Sequence, residues 1–483
     1  MRKKEVLIFI AIFCTAMLST IFFLKPHYSI DTVEFLNNGY DTYIQSKFLV
    51  DGRIFSVLLL KLIIDLPMKF VIPILYIIGV LISCIAVMYI KNLIVKYAKL
   101  EGKLNIIPTI ISYLIIFNFM YIDAFQFMEL PIIAISVLLF IISAKNIIEK
   151  NILKSFILAL IAMFCYQGTI NVFIVTAFVI SIIENKRLNK KVIIDMLKAG
   201  GILLITIGIN YVFTEIVGGT GRLTLDLIEN CKNALINLYM LIFSSSNHYP
   251  QYLQLTFVAI ITLYCFAKDI KILNLLWIYI ISIVVNIILL ITTGNGVMPV
   301  TTQYGRIFFT IGAAIGYMFM YIWCVSDVIR KDKAIKVILI IYFATVLLTY
   351  LQYTYFYMKG QYIDEYIITN IDNVISKYEE QTGNKVEKYC YKIDFDNYDI
   401  LDTLHILNKK YDKMIYGTII EGRRSLEGIS SALFLLHSDR IIEKVVEVED
   451  FSEKYFPNIN FENIELFDER RFVFIGDTVY IML

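Results

Sequence analysis

Charged residues that could carry chemistry are concentrated in one polar stretch after the first apolar segment. Between two long apolar runs, residues 25–69 contain five charged residues of interest: Asp31, Glu34, Asp41, Asp51 and Arg53. A charge beside a bilayer costs free energy unless it faces water or a partner, so these residues are functional candidates. A carboxylate can take a proton from a hydroxyl group, and a guanidinium can neutralise a phosphate.

Asp31 admits two interpretations. It follows the predicted end of the first span by seven residues, so its carboxylate should lie just above the membrane surface, where partial burial raises its basicity. A general base of this kind contributes about 10²- to 10⁴-fold to a reaction rate. The alternative is structural, because Asp31 and Glu34 have the D-x-x-E spacing of a helix N-terminal cap. The two roles are compatible, and the sequence leaves both open.

Three arginines are candidate ligands for the phosphate of a lipid donor. Arg53 precedes an apolar helix, where a cation opposes the helix dipole and so indicates a nearby anion: Asp51, Asp31 or a substrate phosphate. Arg306 stands at the mouth of a predicted span, and Arg222 ends the glycine-rich sequence GGTGR. One guanidinium group can donate two parallel hydrogen bonds to two oxygens of a phosphate group. Interfacial snorkelling of Arg53 and binding of a lipid headgroup by Arg306 are the alternatives.

Four further polar residues at predicted helix ends are candidate contacts for a substrate: Asp123, Glu129, Gln167 and Tyr304. A carboxylate at such a tip can orient an acceptor or position a base, although ordinary solvation also explains its presence. Gln167 lies in the turn of a predicted helical hairpin, where its amide can bind a sugar hydroxyl or the carbonyl groups of the turn.

The composition indicates the class of protein. The chain has 483 residues, of which 58% are apolar and 18% are charged, and its mean hydropathy is +0.70. These values exclude a water-soluble globular protein and indicate a polytopic membrane protein. The net charge of +2 is small and the basic residues form short clusters, which argues against binding of nucleic acid. Seven cysteines and four histidines show no metal-ligand spacing, so the spacing predicts no metal site, although the fold could still bring some of them together. No cofactor is predicted.

Eleven apolar segments are predicted to cross the membrane as helices: residues 6–24, 70–90, 104–122, 130–144, 153–167, 169–184, 197–217, 253–267, 273–293, 307–326 and 337–357. With the N-terminus inside, the cytoplasmic stretches hold 21 lysines and arginines, against three in the outer loops after the first. This asymmetry follows the positive-inside rule. The first segment lacks a cleavage site, which favours an uncleaved span over a signal peptide. Residues 54–66 are too short to cross and are predicted as an interfacial helix, so 25–69 form one outer loop.

A change of composition at Lys359 divides the predicted protein into two domains. Residues 1–358 form the transmembrane domain with the outer loop 25–69, and residues 359–483 form a small extracytoplasmic α/β domain. The elements predicted for the second domain are a helix at 361–381 closed by Gly383, strands at 386–393 and 413–420, a helix near 425–437, and a hairpin at 472–483 that turns at Gly476 and Asp477. A second interfacial helix is predicted at 225–243 in the first domain.

The chain resembles a known family in three short motifs: S-I-D-T at 29–32, V-D-G-R-I-F at 50–55 and C-Y-Q-G-T-I at 165–170. The family is that of the bacterial O-antigen glucosyltransferases of the phage serotype-converting (type II) group, within the GT-C superfamily. The resemblance covers roughly residues 1–350. It implies a GT-C-like helical fold and metal-free, inverting transfer of a sugar, glucose above all, from undecaprenyl phosphate to a cell-surface glycan. It also implies that an acidic residue of the first outer loop is the base: Asp31, with Glu34 or Asp51 as substitutes.

Two other functions stay open at this point: a flippase or transporter of lipid-linked saccharides, and a polymerase or ligase of surface glycans. A transporter is disfavoured because the predicted spans contain few internal charges and no paired broken helices in two halves of the chain. The predicted location is the cytoplasmic membrane, with a cytoplasmic N-terminus. The predicted partners are the undecaprenyl-phosphate sugar, the acceptor glycan and the lipid bilayer.

Overall fold

The computed structural model describes most of the chain and divides it into two compact units. The described residues are 3–45, 47, 51–63, 65–100, 105–217, 227–243, 251–268, 270–293, 308–392, 431–445, 451–457, 459, 461, 464–465 and 467–483. The first unit comprises Met1–Lys25 and Tyr43–Thr354, and the second comprises Pro26–Thr42 and Tyr355–Leu483. Residues 26–42 therefore belong with the C-terminal part of the chain, whereas the sequence analysis assigned all of 25–69 to the transmembrane domain.

Helices dominate the first unit. In chain order, the described α-helices before the first strand are α1 (Lys3–Ser19), α2 (Ile30–Gln45), α3 (Ile54–Ile63), α4 (Met68–Tyr97), α5 (Ile106–Ile116), α6 (Leu130–Ile148), α7 (Ile152–Cys165), α8 (Asn171–Asn185), α9 (Lys190–Ile216), α10 (Leu227–Phe243), α11 (Gln251–Phe266), α12 (Ile272–Thr293), α13 (Phe309–Val325), α14 (Asp327–Lys331) and α15 (Lys333–Thr382). Each predicted apolar segment overlaps one of these helices. A helix satisfies its backbone hydrogen bonds internally, which a segment in lipid requires.

Five of the described helical segments are long and apolar enough to cross a membrane: Met68–Tyr97, Leu130–Ile148, Gln167–Asn185, Lys190–Ile216 and Lys333–Thr382. The protein is therefore a helical membrane protein. The total of eleven spans and the interfacial positions of α3 and α10 stay predictions. That α3 and α10 are helices is confirmed.

One sequence prediction needs correction at α15. The sequence predicted a span at 337–357 and a separate helix at 361–381, but one helix of 50 residues covers both. The apolar run ends near Lys359, yet the helical periodicity continues through isoleucines that recur every fourth residue and are buried: Ile363, Ile367, Ile371 and Ile375. Gly360 does not end the helix, since an internal glycine costs only about 1 kcal/mol relative to alanine.

α9 turns its polar residues towards the protein. Its buried residues recur every three or four positions and include four polar ones: Asp195, Thr206, Asn210 and Thr214. Apolar residues between them, such as Leu197 and Leu204, are exposed. Polar side chains of a membrane helix face the protein because lipid offers them no hydrogen bonds. Asn210 and Thr214 consequently lie inside the bundle, near the C-terminal end of α9.

Close packing of α13 against α5 depends on Gly316, and we expect Gly316→Ala to destabilise the protein by about 1–3 kcal/mol. A Cβ at this position would lie 2.9 Å from the backbone nitrogen of Ile115 and 3.0 Å from the carbonyl carbon of Leu114. Because these are backbone atoms, the helices themselves must separate. Gly200→Ala in α9 is the matched control, since a Cβ there has no atom within 4 Å. Unfolding in detergent measures both variants, and an equal effect of the two substitutions contradicts the packing argument.

The second unit contains the small sheet that the sequence predicted. Strands β1 (Lys388–Lys392), β2 (Glu443–Lys444), β3 (Phe472–Ile475) and β4 (Thr478–Met482) pair in the order β2-β1-β4-β3. β1 is parallel to β2 and β4, whereas β3 and β4 form an antiparallel hairpin. The hairpin turn at Gly476 and the end of α15 at Gly383 are confirmed, and both glycines have positive φ, which glycine adopts without steric cost.

Two short helices complete the described part of the second unit: α16 (Ser431–Ser438) and α17 (Phe451–Tyr455). α16 overlaps the helix predicted near 425–437, of which residues 425–430 lie outside the described residues. The predicted strand at 413–420 also lies outside them. Arg440, which follows α16, donates hydrogen bonds to Ser376 at 3.0 Å and to Glu379 at 3.2 Å, and it also pairs with Asp372. These contacts attach the segment after α16 to α15.

The stability of the second unit is expected to fall as the pH decreases below 6.5, the ordinary pKa of a histidine side chain. Burial lowers the pKa of His437 from 6.5 to about 4, and its ring packs edge-on against Tyr28 with a centroid distance of 5.7 Å. The folded unit keeps the ring neutral while the unfolded chain takes up a proton. The part of the free energy of unfolding that depends on the neutral His437 ring, up to about 3 kcal/mol, is fully present above pH 6.5. It is lost as the pH falls to about 4.

Denaturant titration at several pH values in this range measures the effect. We expect His437→Phe to lose this part of the acid sensitivity, because phenylalanine keeps the ring contact and does not titrate. Identical pH dependence in the wild type and in the variant contradicts the assignment to His437.

Candidate functional site

Arg53 lies where the ends of several helices of the first unit meet. It directly precedes α3, while Glu129 directly precedes α6. Tyr166 and Gln167 form the short turn between α7 and α8, as the sequence predicted. Gly52 allows the chain to turn into α3, because its φ of +65° is a conformation that other residues rarely adopt.

Four side-chain contacts fix the guanidinium group of Arg53. Nη2 lies 3.3 Å from Oδ2 of Asp51, and Nη1 lies 3.7 Å from Oε2 of Glu129. Nε donates a hydrogen bond of 3.2 Å to Oε1 of Gln167. The group also stacks on the ring of Tyr166, 4.6 Å from its centroid. We call these five residues, Asp51, Arg53, Glu129, Tyr166 and Gln167, the Arg53 cluster.

The charged members of the Arg53 cluster are shielded from solvent. Asp51, Glu129 and Arg53 are 5%, 3% and 8% exposed. Glu129 stands at the N-terminus of α6, where the helix dipole stabilises a negative charge, and the two carboxylates offset the unfavourable position of Arg53 at the start of α3. In their ordinary ionised forms, the three residues carry two negative charges and one positive charge.

The turn that carries Tyr166 and Gln167 is fixed from α6. The hydroxyl of Ser136 donates to the carbonyl of Tyr166 at 3.0 Å and lies 2.9 Å from Oγ1 of Thr169. The side-chain amide of Gln167 in turn donates to the backbone carbonyl of Asp51. Gln167 therefore links the segment before α3 to the α7–α8 turn, and its orientation is determined on both sides.

Asn210 borders the Arg53 cluster from α9. A Cβ on Gly52 would lie 2.7 Å from Nδ2 of Asn210 and 3.0 Å from Cγ2 of Thr214. Asn210 was not among the site residues predicted from the sequence, because it lies within the predicted span 197–217. Its signal was the presence of an amide and a hydroxyl four residues apart in an otherwise apolar segment.

No family model, curated protein or solved structure matches this chain.

Four of the predicted site residues meet in the first unit: Asp51, Arg53, Glu129 and Gln167. Asp123 belongs to the same unit and is buried in the short turn Tyr121–Gln126, where it accepts a hydrogen bond of 2.6 Å from Nε2 of Gln126. Arg222, Tyr304 and Arg306 lie outside the described residues.

Asp31 and Glu34 belong to the second unit, in the first half of α2. The interpretation of Asp31 as a helix cap is wrong. α2 begins at Ile30, and the hydroxyl oxygen of Ser29 accepts the hydrogen bond from the backbone N–H of Thr32 at 3.2 Å. Asp31 instead lies in the first turn, where its charge is favourable to the helix dipole.

The Arg53 cluster favours proton transfer from neutral ligands over binding of anions. The guanidinium is already paired with two carboxylates, so less of its charge is available to a phosphate group. A carboxylate held by a cation can accept a hydrogen bond from a hydroxyl group and take its proton. Within the described part of the chain, no three histidine, cysteine, aspartate or glutamate side chains are grouped in a way that could hold a metal ion.

Proposed function

We propose that the protein is a membrane glycosyltransferase that moves a sugar, glucose in the first instance, from undecaprenyl phosphate to a cell-surface glycan. The observation that carries the proposal is the buried Arg53 cluster at the helix ends of a membrane protein. Two carboxylates around one guanidinium suit the activation of a sugar hydroxyl. The resemblance of V-D-G-R-I-F and C-Y-Q-G-T-I to the O-antigen glucosyltransferases also supports it, because both motifs contribute residues to this cluster.

In the proposed reaction, Glu129 is the general base. Its carboxylate takes the proton of the acceptor hydroxyl as the hydroxyl oxygen attacks the anomeric carbon of the donor sugar. The bond from that carbon to the phosphate oxygen breaks, and undecaprenyl phosphate leaves with the bonding electrons, which inverts the anomeric centre. Arg53 and Asp51 hold Glu129 in place. This assignment differs from the base that the family resemblance implies, Asp31.

The proposed role of Arg53 also differs from that expected from the sequence. Arg53 was expected to bind the donor phosphate, but its guanidinium contacts Asp51 and Glu129, so we assign it to orienting the carboxylates. Arg222 and Arg306 stay sequence predictions as phosphate ligands. A cation near the leaving phosphate is needed because negative charge develops there as the bond breaks.

The proposal places the Arg53 cluster on the outer face of the cytoplasmic membrane. Glu129 precedes α6, while Lys145 is in its last turn and Lys150 follows it. Basic residues are enriched on the cytoplasmic side of membrane proteins, so the opposite end of α6 faces outwards. By the same reasoning, the C-terminal unit is extracytoplasmic, and we propose that it contributes to holding the acceptor.

A transfer assay tests the proposed function. Purified protein in lipid nanodiscs is incubated with undecaprenyl-phosphate sugars and cell-envelope glycans, and the mass of the products is measured. We expect a glycan that is heavier by one hexose, with release of undecaprenyl phosphate only when an acceptor is present. If no donor is consumed, the transferase proposal is wrong and movement of lipid-linked sugars across the membrane is the next function to test.

A further inference from the structure

Two buried polar atoms beside the Arg53 cluster have no hydrogen-bond partner among the residues that the structure describes. They are Oε1 of Glu129 and Nδ2 of Asn210. Both side chains are more than nine-tenths buried, since Glu129 is 3% exposed and Asn210 is 8% exposed. Such atoms are rare in folded proteins, because each has given up its hydrogen bond to water without a replacement. A bound polar ligand or an ordered water would supply the missing partners.

Both atoms belong to residues that contact the same short segment. Glu129 approaches Arg53 through its other oxygen, Oε2, at 3.7 Å, which leaves Oε1 for another contact. Nδ2 of Asn210 approaches Gly52 so closely that a Cβ on this glycine would lie 2.7 Å from it. Gly52 and Arg53 are consecutive, so Glu129 and Asn210 both contact the same two-residue segment before α3.

The chemistry of this pair selects the class of ligand. Oε1 of an ionised Glu129 can only accept a hydrogen bond, and Nδ2 of Asn210 can only donate one. An anionic ligand would meet the two carboxylates of Asp51 and Glu129 against one guanidinium. A cationic ligand would meet the donor of Asn210. Neutral hydroxyl groups satisfy both atoms, since each can donate to Glu129 or accept from Asn210.

We propose that Glu129 and Asn210 bind two hydroxyl groups of the acceptor sugar, and that Asn210 determines which acceptors are used. The attacking hydroxyl donates to Oε1 of Glu129, and Nδ2 of Asn210 donates to the oxygen of a second hydroxyl. This subsite rests on the proposed function, and it places the acceptor sugar, instead of the lipid phosphate, at the Arg53 cluster. Gly52 is needed because any side chain there would cover Nδ2 of Asn210.

Transfer kinetics test the role of Asn210. Asn210→Leu removes the donor while it keeps the branched shape of the side chain, and Asn210→Ala serves if the leucine variant does not fold. With undecaprenyl-phosphate glucose as donor and methyl hexosides as acceptors, we expect the acceptor KM to rise about tenfold or more, because the lost partner leaves a sugar oxygen unpaired. The donor KM should stay unchanged. A rise in the donor KM alone overturns the proposal.

Tyr211→Phe is the matched control for these kinetics. Tyr211 is the next residue of α9, and its side chain is 39% exposed, outside the buried stripe that includes Asn210. We expect this variant to keep both KM values of the wild type. A rise in acceptor KM as large as that of Asn210→Leu would assign the effect to a general disturbance of α9 and overturn the proposal.

A binding measurement separates failure of this subsite from failure of the proposed function. The temperature of unfolding is recorded with methyl α-D-glucopyranoside and, separately, with undecaprenyl phosphate. We expect the glycoside to raise this temperature for the wild type and not for Asn210→Leu, since a ligand stabilises only the state that binds it. Undecaprenyl phosphate should act equally on both proteins. If hexosides do not stabilise the wild type, the proposed subsite is wrong, even if sugar transfer is observed. If hexosides stabilise the wild type and not Asn210→Leu, the subsite is supported, even if no sugar transfer is observed.

Discussion

Arg53→Met is expected to lower the free energy of unfolding by about 3–5 kcal/mol, because it leaves two buried carboxylates without their shared cation. In the wild type the guanidinium lies 3.3 Å from Asp51 and 3.7 Å from Glu129, and all three side chains are buried. Methionine has nearly the length of the arginine stem and still packs on Tyr166, so the charge is the main change. Titration with a denaturing detergent measures the loss.

A single variant at Lys96 and a triple variant of the buried residues show whether burial of the charges causes this loss of unfolding free energy. Lys96→Met removes an ion pair with Glu149 of similar length, 3.2 Å, but the lysine side chain is 59% exposed. Such an exposed pair contributes less than about 1 kcal/mol. The triple variant with Asp51→Asn, Arg53→Met and Glu129→Gln removes all three charges and should recover part of the stability, since no buried charge is left unpaired. A triple variant that is less stable than Arg53→Met would contradict this explanation.

Glu129→Gln is expected to lower kcat for sugar transfer by about 10²- to 10⁴-fold, the usual contribution of a positioned general base. Glutamine has the shape of glutamate and keeps an Oε1 that accepts a hydrogen bond, but an amide does not take the proton of the acceptor hydroxyl. The acceptor KM should therefore change much less than kcat. Measurement of both parameters with mass detection of the glycan product distinguishes a base from a residue that only binds substrate.

Three substitutions of the same type serve as comparisons. Glu149→Gln changes a carboxylate beyond the other end of α6, where it pairs with Lys96 and Lys145, and should leave kcat unchanged. Asp51→Asn should lower kcat less than Glu129→Gln, because Asp51 holds Arg53. Asp31→Asn examines the base that the family resemblance implies. If Asp51→Asn or Asp31→Asn has a larger effect than Glu129→Gln, the base is that residue and the assignment to Glu129 is wrong.

Local features of the sequence predicted most of the helices and one strand pair well. Apolar runs predicted helices because a buried or lipid-facing backbone must form its own hydrogen bonds. Gly383 and the Gly476 turn were predicted because positive φ is strongly tied to glycine. The prediction that a helix ends near Lys359 was wrong, because a change from apolar to polar composition alters the surroundings of a helix and does not by itself end it.

All members of the Arg53 cluster except Tyr166 were selected from the sequence, but their association was not. An arginine at a helix start indicated a nearby anion, and Asp51 was one of three partners considered. Glu129, 76 residues further along the chain than Arg53, was selected only as a charge at a helix tip. Its contact with Arg53 depends on how α3, α6 and α7 pack, which no local pattern in the sequence specifies.

The sequence by itself determined that this is a helical membrane protein, where most helices lie, and which polar residues stand at their ends. Only the tertiary structure decided that Asp51 and Glu129 share Arg53, that Gln167 joins them, and that Asn210 of α9 packs against Gly52. It also grouped Asp31 and Glu34 with the C-terminal residues. The physical reason is range: helix formation and turns depend on hydrogen bonds and φ angles within a few residues, whereas a site between helices depends on the packing of side chains distant in sequence.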